Sequence, residues 1–227
     1  MESLSNQKRI STSDVAYYEI KKRIIELDYE PDAQLREEQL AEEIEVSRTP
    51  LRQALYRLTL EGLIVKKPNG RIYVAPITLK EVEETYKVRE VMEGLLAKEA
   101  TINMTDEKLQ ELEDLLHLMK LSAEQNRNEH TVRYGRQFHN VLYSLSTNEL
   151  AKRFVGQLNA QIERYRRISS YKNPAYIHTV PVQEHKEILR LIKEGDPEKV
   201  EVEMRRHIKR SLEIAKKTLE LDEGALD

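Results

Sequence analysis

Three of the six histidines in this 227-residue chain fall on inward faces of three separate expected helices. At the 3.6-residue period His139 lines up with Val132, Leu142 and Tyr143; His185 with Ile188, Leu189 and Ile192; His207 with Val200, Met204, Ile208 and Ile214. Taken singly, an inward histidine reads as a hydrogen-bonded core residue. Three imidazoles converging inside a helical bundle make a site for zinc, nickel or another borderline divalent metal, which takes neutral nitrogen donors. The remaining histidines stand apart, His117 on a polar face with Glu113, Asp114 and Lys120, and His130 and His178 in expected loops. A metal-dependent hydrolase would need a general base beside such a metal. One turn before His139 the residue is Gly135, which supplies none, so the chain is not expected to be an enzyme.

A second constellation is cationic. Arg48 and Arg52 stand four residues apart, beside Ser47 and Thr49, so on a helix they project from one face near its start. A guanidinium fork pairs bidentately with guanine O6 and N7 or holds a phosphate, and hydroxyls at a helix N-terminus suit phosphate oxygens. Around a tight turn that follows, Asn69, Gly70 and Arg71 are expected to lie in or across a minor groove, with Lys66 and Lys67 adding non-specific charge. Glu26 to Glu45 holds nine acidic residues and one arginine, a net of −8, while Val46 to Val74 holds six basic residues and Glu61, a net of +5. The overall charge of −3 averages this away. Such polarity suits an oriented DNA-binding face, and solvated helix faces also produce it.

The elements that must position these residues follow from periodicity and punctuation. A first helix is expected over Ser13 to Leu27, stopped by Pro31, then a short one through Leu40, Ala41 and Ile44 ending near Val46. Ser47 N-caps a third, with Pro50 in its first turn and Leu51, Ala54, Leu55 and Leu58 inward. Leu63 to Lys66 and Arg71 to Ala75 read as two β arms joined by Pro68-Asn69-Gly70, with both Asn69 and Gly70 suited to positive φ. Three helices and a β-hairpin make a winged helix-turn-helix over residues 1–76. A linker is expected over 77–80, an all-α helical bundle over 81–221, and a tail over 222–227, giving a mainly α protein. Six or seven helices are expected in the bundle, and Gly195-Asp196-Pro197 marks a clear break between two of them.

The segment Glu37 to Pro76, with VSRTPLRQAL followed by RL, EGL and a glycine-containing hairpin, resembles the DNA-binding domain of GntR-family transcription regulators. It departs at Asp32, where many members carry Gly, and at Glu38, where some place a DNA-contacting Arg. YKVREVMEGLLAKEA, FHNVLYSLSTNEL and VQEHKEILRLIKEGDPEKVEVEMRRHI resemble the FCD ligand-binding domain of the FadR-like subfamily. The resemblance implies a homodimeric repressor that reads half-sites of double-stranded operator DNA and answers to a small-molecule effector, an organic acid. It places metal on His139, His185 and His207. It also puts Arg89 at the pocket border, able to clamp an effector carboxylate; the competing reading is a surface ion partner for Glu90 or Glu93. Tyr165 and Arg166 are further candidates for the lining. Metal-binding members keep a carboxylate four residues before the counterpart of His139. Gly135 leaves water or a ligand carboxylate to complete the shell, or a pocket that works without metal.

Composition limits the rest. The 39 % hydrophobic and 34 % charged fractions describe a helix-rich globular chain. The absence of cysteine excludes disulfide scaffolds, thiolate metal sites and cysteine nucleophiles. No run nears the roughly 18 apolar residues of a membrane span, and the first residues lack the apolar core of a secretory signal. A cytoplasmic protein on the bacterial nucleoid is expected, with no membrane partner. A DNA-architectural protein without a sensor is the rival reading, in which the inward histidines are accidental.

Overall fold

The computed structural model describes residues 10–171 and 179–223. His178, the first nine residues and the last four of the expected tail lie outside the described residues. The chain divides into two compact units, Met1–Ile77 and Thr78–Asp227.

In the first unit α1 (Thr12–Glu26) is capped by Ser11, whose side chain accepts from the Asp14 amide. It ends at Leu27 with φ 62, where the sequence placed its end, ahead of Pro31. The left-handed turn lets the Leu27 amide reach back to the last carbonyls, a role usually given to glycine. α2 (Glu37–Glu43) closes sooner than expected, and α3 (Arg48–Leu60) packs against both α1 and α2. Buried Ala16, Ile20 and Ile24 of α1 and Leu51, Ala54 and Leu58 of α3 form this unit's centre.

The wing has three strands, one more than the sequence suggested. β2 (Ile64–Lys66) and β3 (Ile72–Val74) form the hairpin, and β1 (Gln34–Leu35) joins the other edge of β3, with Leu35 opposite Ile72. In the connecting turn only Gly70 takes positive φ, at 81°. Asn69 instead accepts the Arg71 amide through its side chain at 3.0 Å.

The second unit is helical. α4 (Leu79–Ile102) begins with a capping box between Thr78 and Glu81, so the last two residues of the expected linker, Leu79 and Lys80, are already helical. α5 (Asp106–Glu124), α6 (Asn128–Leu145), α7 (Glu149–Arg166), α8 (Thr179–Glu194) and α9 (Pro197–Glu223) follow. His130 thus lies in the first turn of α6 rather than in a loop. α7 runs on into a π-helical segment, Arg167–Tyr171, an irregularity that no sequence signal announced. Gly195 closes α8 with φ 67, and Asp196 accepts the Lys199 amide to start α9. α4 lies along α9, and a Cβ at Gly94 would come within 2.8 Å of Arg205 Cγ, so this glycine permits the close approach. Among the described residues no helix is long and apolar enough to cross a membrane.

Candidate functional site

His139 on α6, His185 on α8 and His207 on α9 are all buried and meet in the second unit. Their ring centroids lie 5.2, 5.3 and 4.7 Å apart, and one donor nitrogen from each falls within 4.8 Å of the others.

The outer nitrogen of each ring faces an acceptor. His185 Nδ1 donates to the Pro181 carbonyl at 2.7 Å, and His207 Nδ1 lies 2.7 Å from Glu184 Oε2. His139 Nδ1 stands 2.6 Å from Glu93 Oε2, off the line of a good hydrogen bond. A carbonyl or carboxylate can only accept, so the proton belongs on Nδ1 and the lone pair on Nε2. By elimination Nε2 is the donor each ring offers, and His185 Nε2 is buried with no protein partner. Carboxylates or carbonyls behind the ring are the usual way a metal-binding imidazole is oriented.

Burial is the main influence on all three rings. It pushes His139 down to about 4 against the pull of Glu93, holds His185 well below its ordinary value, and lowers His207 despite Glu184. Each ring is therefore neutral near pH 7, the form that ligates a metal. The donor set fits a zinc- or nickel-type ion, leaving a position open for water or ligand.

Sequence reasoning missed the two supporting glutamates. Glu93 is buried on α4; burial alone would raise its pKa, but Arg89 and His139 hold it well below the usual range. Tyr143 also hydrogen-bonds to it. Glu184, preceding His185, bridges His207 and Arg210. Arg89 stands at the cavity border, and its Glu93 partner is inside the fold and not at the surface. Arg89 itself is buried at 1 % exposure, and its Nε donates to Glu93. Any clamp on an effector must use the rest of its guanidinium.

The cavity at the histidines measures about 50 Å³, room for a few water-sized groups. Gly135, Arg136, Arg166, Ser169, Ser170 and Arg210 line it with them, the two serines delivered by the π-helical segment. Arg166 thus faces the cavity; Tyr165 is buried against Tyr86 instead, ring centroids 6.4 Å apart. His117 is exposed on α5, away from the cluster.

In the first unit Ser47, Arg48, Thr49 and Arg52 are all exposed at the start of α3. Ser47 is the N-cap by backbone, but its side chain makes no capping bond. Arg48 Nη2 donates to Glu38 Oε1 at 2.8 Å and Arg52 Nε to Glu37 Oε2 at 2.8 Å. Lys66, Lys67, Asn69, Gly70 and Arg71 are exposed around the hairpin turn, with Lys67 Nζ 4.0 Å over the Tyr73 ring. Arg57, counted in the basic stretch, is tied into the fold by Asp14 at 2.7 Å and by the Tyr17 ring at 3.8 Å.

Residues 12–74 match the profile of "Bacterial regulatory proteins, gntR family", and residues 84–210 match that of the FCD domain. The chain is 28 % identical over 213 residues to the uncharacterized HTH-type transcriptional regulator YdhC of Bacillus subtilis (strain 168), covering 90 % of this chain and 91 % of that one. It is 25 % identical over 196 residues to the HTH-type transcriptional repressor RspR of Escherichia coli (strain K12), covering 85 % and 83 %. Among solved structures, E. coli McbR/YncC superimposes with TM-score 0.76 at 22 % identity, over 92 % of this chain and 99 % of that chain, a likeness of fold.

Proposed function

Because this chain belongs to the GntR family of bacterial transcription regulators and carries an FCD domain, we propose that it is a repressor whose operator binding is modulated by a small organic acid bound at a metal centre in its helical unit. Ser47, Arg48, Thr49 and Arg52 serve the major groove in this reading, and Lys66, Lys67, Asn69, Gly70 and Arg71 the minor groove and backbone. His139, His185 and His207 hold zinc or nickel, which supplies a Lewis-acidic position for an effector carboxylate. Arg166 and Arg210 line the approach and favour an anion. The protein acts as a cytoplasmic homodimer, placing two reading heads on a two-fold operator. Relatives of this kind are regulators rather than enzymes.

The observation that carries the sensor reading is the convergence of one ring nitrogen from each of three buried histidines within 4.8 Å, with Nδ1 of His185 and His207 hydrogen-bonded away from the cluster and that of His139 beside Glu93. The test is metal analysis of purified protein, with thermal melts in chelator, in divalent metals and in a panel of small carboxylic acids. Near-stoichiometric zinc or nickel, lost in His139→Ala and His207→Ala, together with an acid that raises the melt only when metal is present, is the expected result. No bound metal and a melt indifferent to both metal and chelator would remove the metal centre from the proposal.

A further inference from the structure

Two ion pairs connect the first turn of α2 to the first two turns of α3, Glu38 with Arg48 and Glu37 with Arg52. They lie in parallel, and all four side chains are solvent-accessible, Arg48 and Glu38 at 65 % and 76 %. Exposed ion pairs contribute little to stability, so these do not explain themselves as struts for the fold. Their position does: they sit on the residues that the DNA-binding reading turns toward bases.

We propose that Glu38 is a specificity-determining residue of DNA recognition, and that the Arg48–Glu38 pair reads the major-groove edge of a G·C base pair as one zwitterionic unit. The inference rests on the assignment of α3 to the major groove. A G·C edge offers guanine N7 and O6 as acceptors and, beside them, the cytosine N4 amine as donor. A guanidinium joined to a carboxylate presents the complementary order, donors next to an acceptor. Only Nη2 of Arg48 is used in its bond to Glu38, so the guanidinium meets guanine without breaking the pair. An A·T edge fails both ways. Adenine N6 brings a donor to a cation, and thymine O4 brings an acceptor to a carboxylate.

The same pairing discriminates against the sugar-phosphate backbone. Phosphate approaching Arg48 or Arg52 meets a carboxylate 2.8 Å from the guanidinium and must displace it against like charge. Sequence-independent affinity comes mainly from such phosphate contacts, so holding the arginines in neutral pairs lowers binding to random DNA more than binding to the correct site. Glu37, with Arg52, extends this screen one turn further along α3.

The experiment uses the full chain and two probes: a duplex library with a randomised core for selection, and poly(dA–dT) for non-specific binding at several KCl concentrations. Wild-type protein should select sites with one fixed G·C pair per half-site, and Glu38→Ala should relax that position alone by roughly tenfold. On poly(dA–dT), Glu38→Ala should bind several-fold tighter, with the log–log salt slope steeper by about 0.9 as one freed arginine takes up a phosphate. Glu38→Gln keeps an acceptor without the charge and should recover base preference in part but not the weak non-specific binding. Unchanged base preference and salt slope in both Glu38 variants would overturn the proposal. Selection unaltered by Arg48→Ala would instead remove the premise that α3 reads bases, a failure distinguishable from that of Glu38.

Discussion

Gly135 is the residue on which the chemistry of the cavity turns. A Cβ placed there would sit 3.4 Å from Met119 Cε and 3.5 Å from His185 Nε2, ordinary contact distances, so a side chain is sterically admissible. Gly135→Asp should therefore bring a carboxylate to the wall of the site. We expect it to retain zinc against a competing chelator roughly tenfold better than wild type, the scale on which single groups tune such sites. It should also respond less to small carboxylic acids, having filled the place they would take. Chelator competition followed by zinc titration measures the first effect, and retention no better than wild type would count against a metal at this wall. The three histidines were legible in the sequence because each repeats with apolar neighbours at helical period. Glu93 and Glu184 were not, because a glutamate on a helix reads as solvent-facing until tertiary burial shows otherwise.

At the level of the elements, helix starts were the most readable feature, since caps are local chemistry. Thr78, Thr105, Asn148 and Asp196 each accept a backbone amide near the start of their helix. The two-residue β1 was not readable, because only its pairing with β3, far along the chain, makes it a strand. The end of α1 at Leu27 was readable, but not the manner of it: Leu27 takes a left-handed backbone angle that no residue type announced. Glu99 of α4 adds a cap from a distance, accepting from Ser146 Oγ at 2.6 Å and from the amides of Thr147 and Asn148 at 3.2 Å, just before α7. The Ser146 hydrogen bond, with the two amides, holds its pKa below the ordinary value against the effect of burial. A depressed folded-state pKa means this stabilisation is complete above the unfolded carboxylate range and is lost as pH falls through the folded value. Glu99→Ala should cost about 1 to 2 kcal/mol in urea unfolding at neutral pH. The gap to wild type should close progressively below about pH 4. A constant gap across that range would show that packing, not charge, is responsible.

At the scale of the whole molecule, the proposed homodimer needs a surface on which two copies meet. α4 and α7 pack through Leu96, Ala151 and Val155, yet Val88, Val91, Leu150 and Phe154 on these same helices remain exposed. We take these four exposed side chains, two on each of two packed helices, as the candidate association surface. Leu150→Asp combined with Phe154→Asp should turn a sedimenting dimer into a monomer at micromolar concentration with helicity preserved, and a persisting dimer would assign the interface elsewhere. The fold class was legible from patterning alone, whereas association is not, because an exposed leucine at a helix surface is common in monomers too. The histidine cavity has a consequence at this scale as well. With an ion held by three neutral imidazoles, a double positive charge lies uncompensated in a buried space, and an entering anion both neutralises it and makes the ion harder to lose, since coupling between two bound species is reciprocal. A regulator of the proposed kind would compute a conjunction: it would register its acid only when trace metal was also in supply, so a metal-starved cell would become deaf to the effector without any change in the amount of regulator it contains.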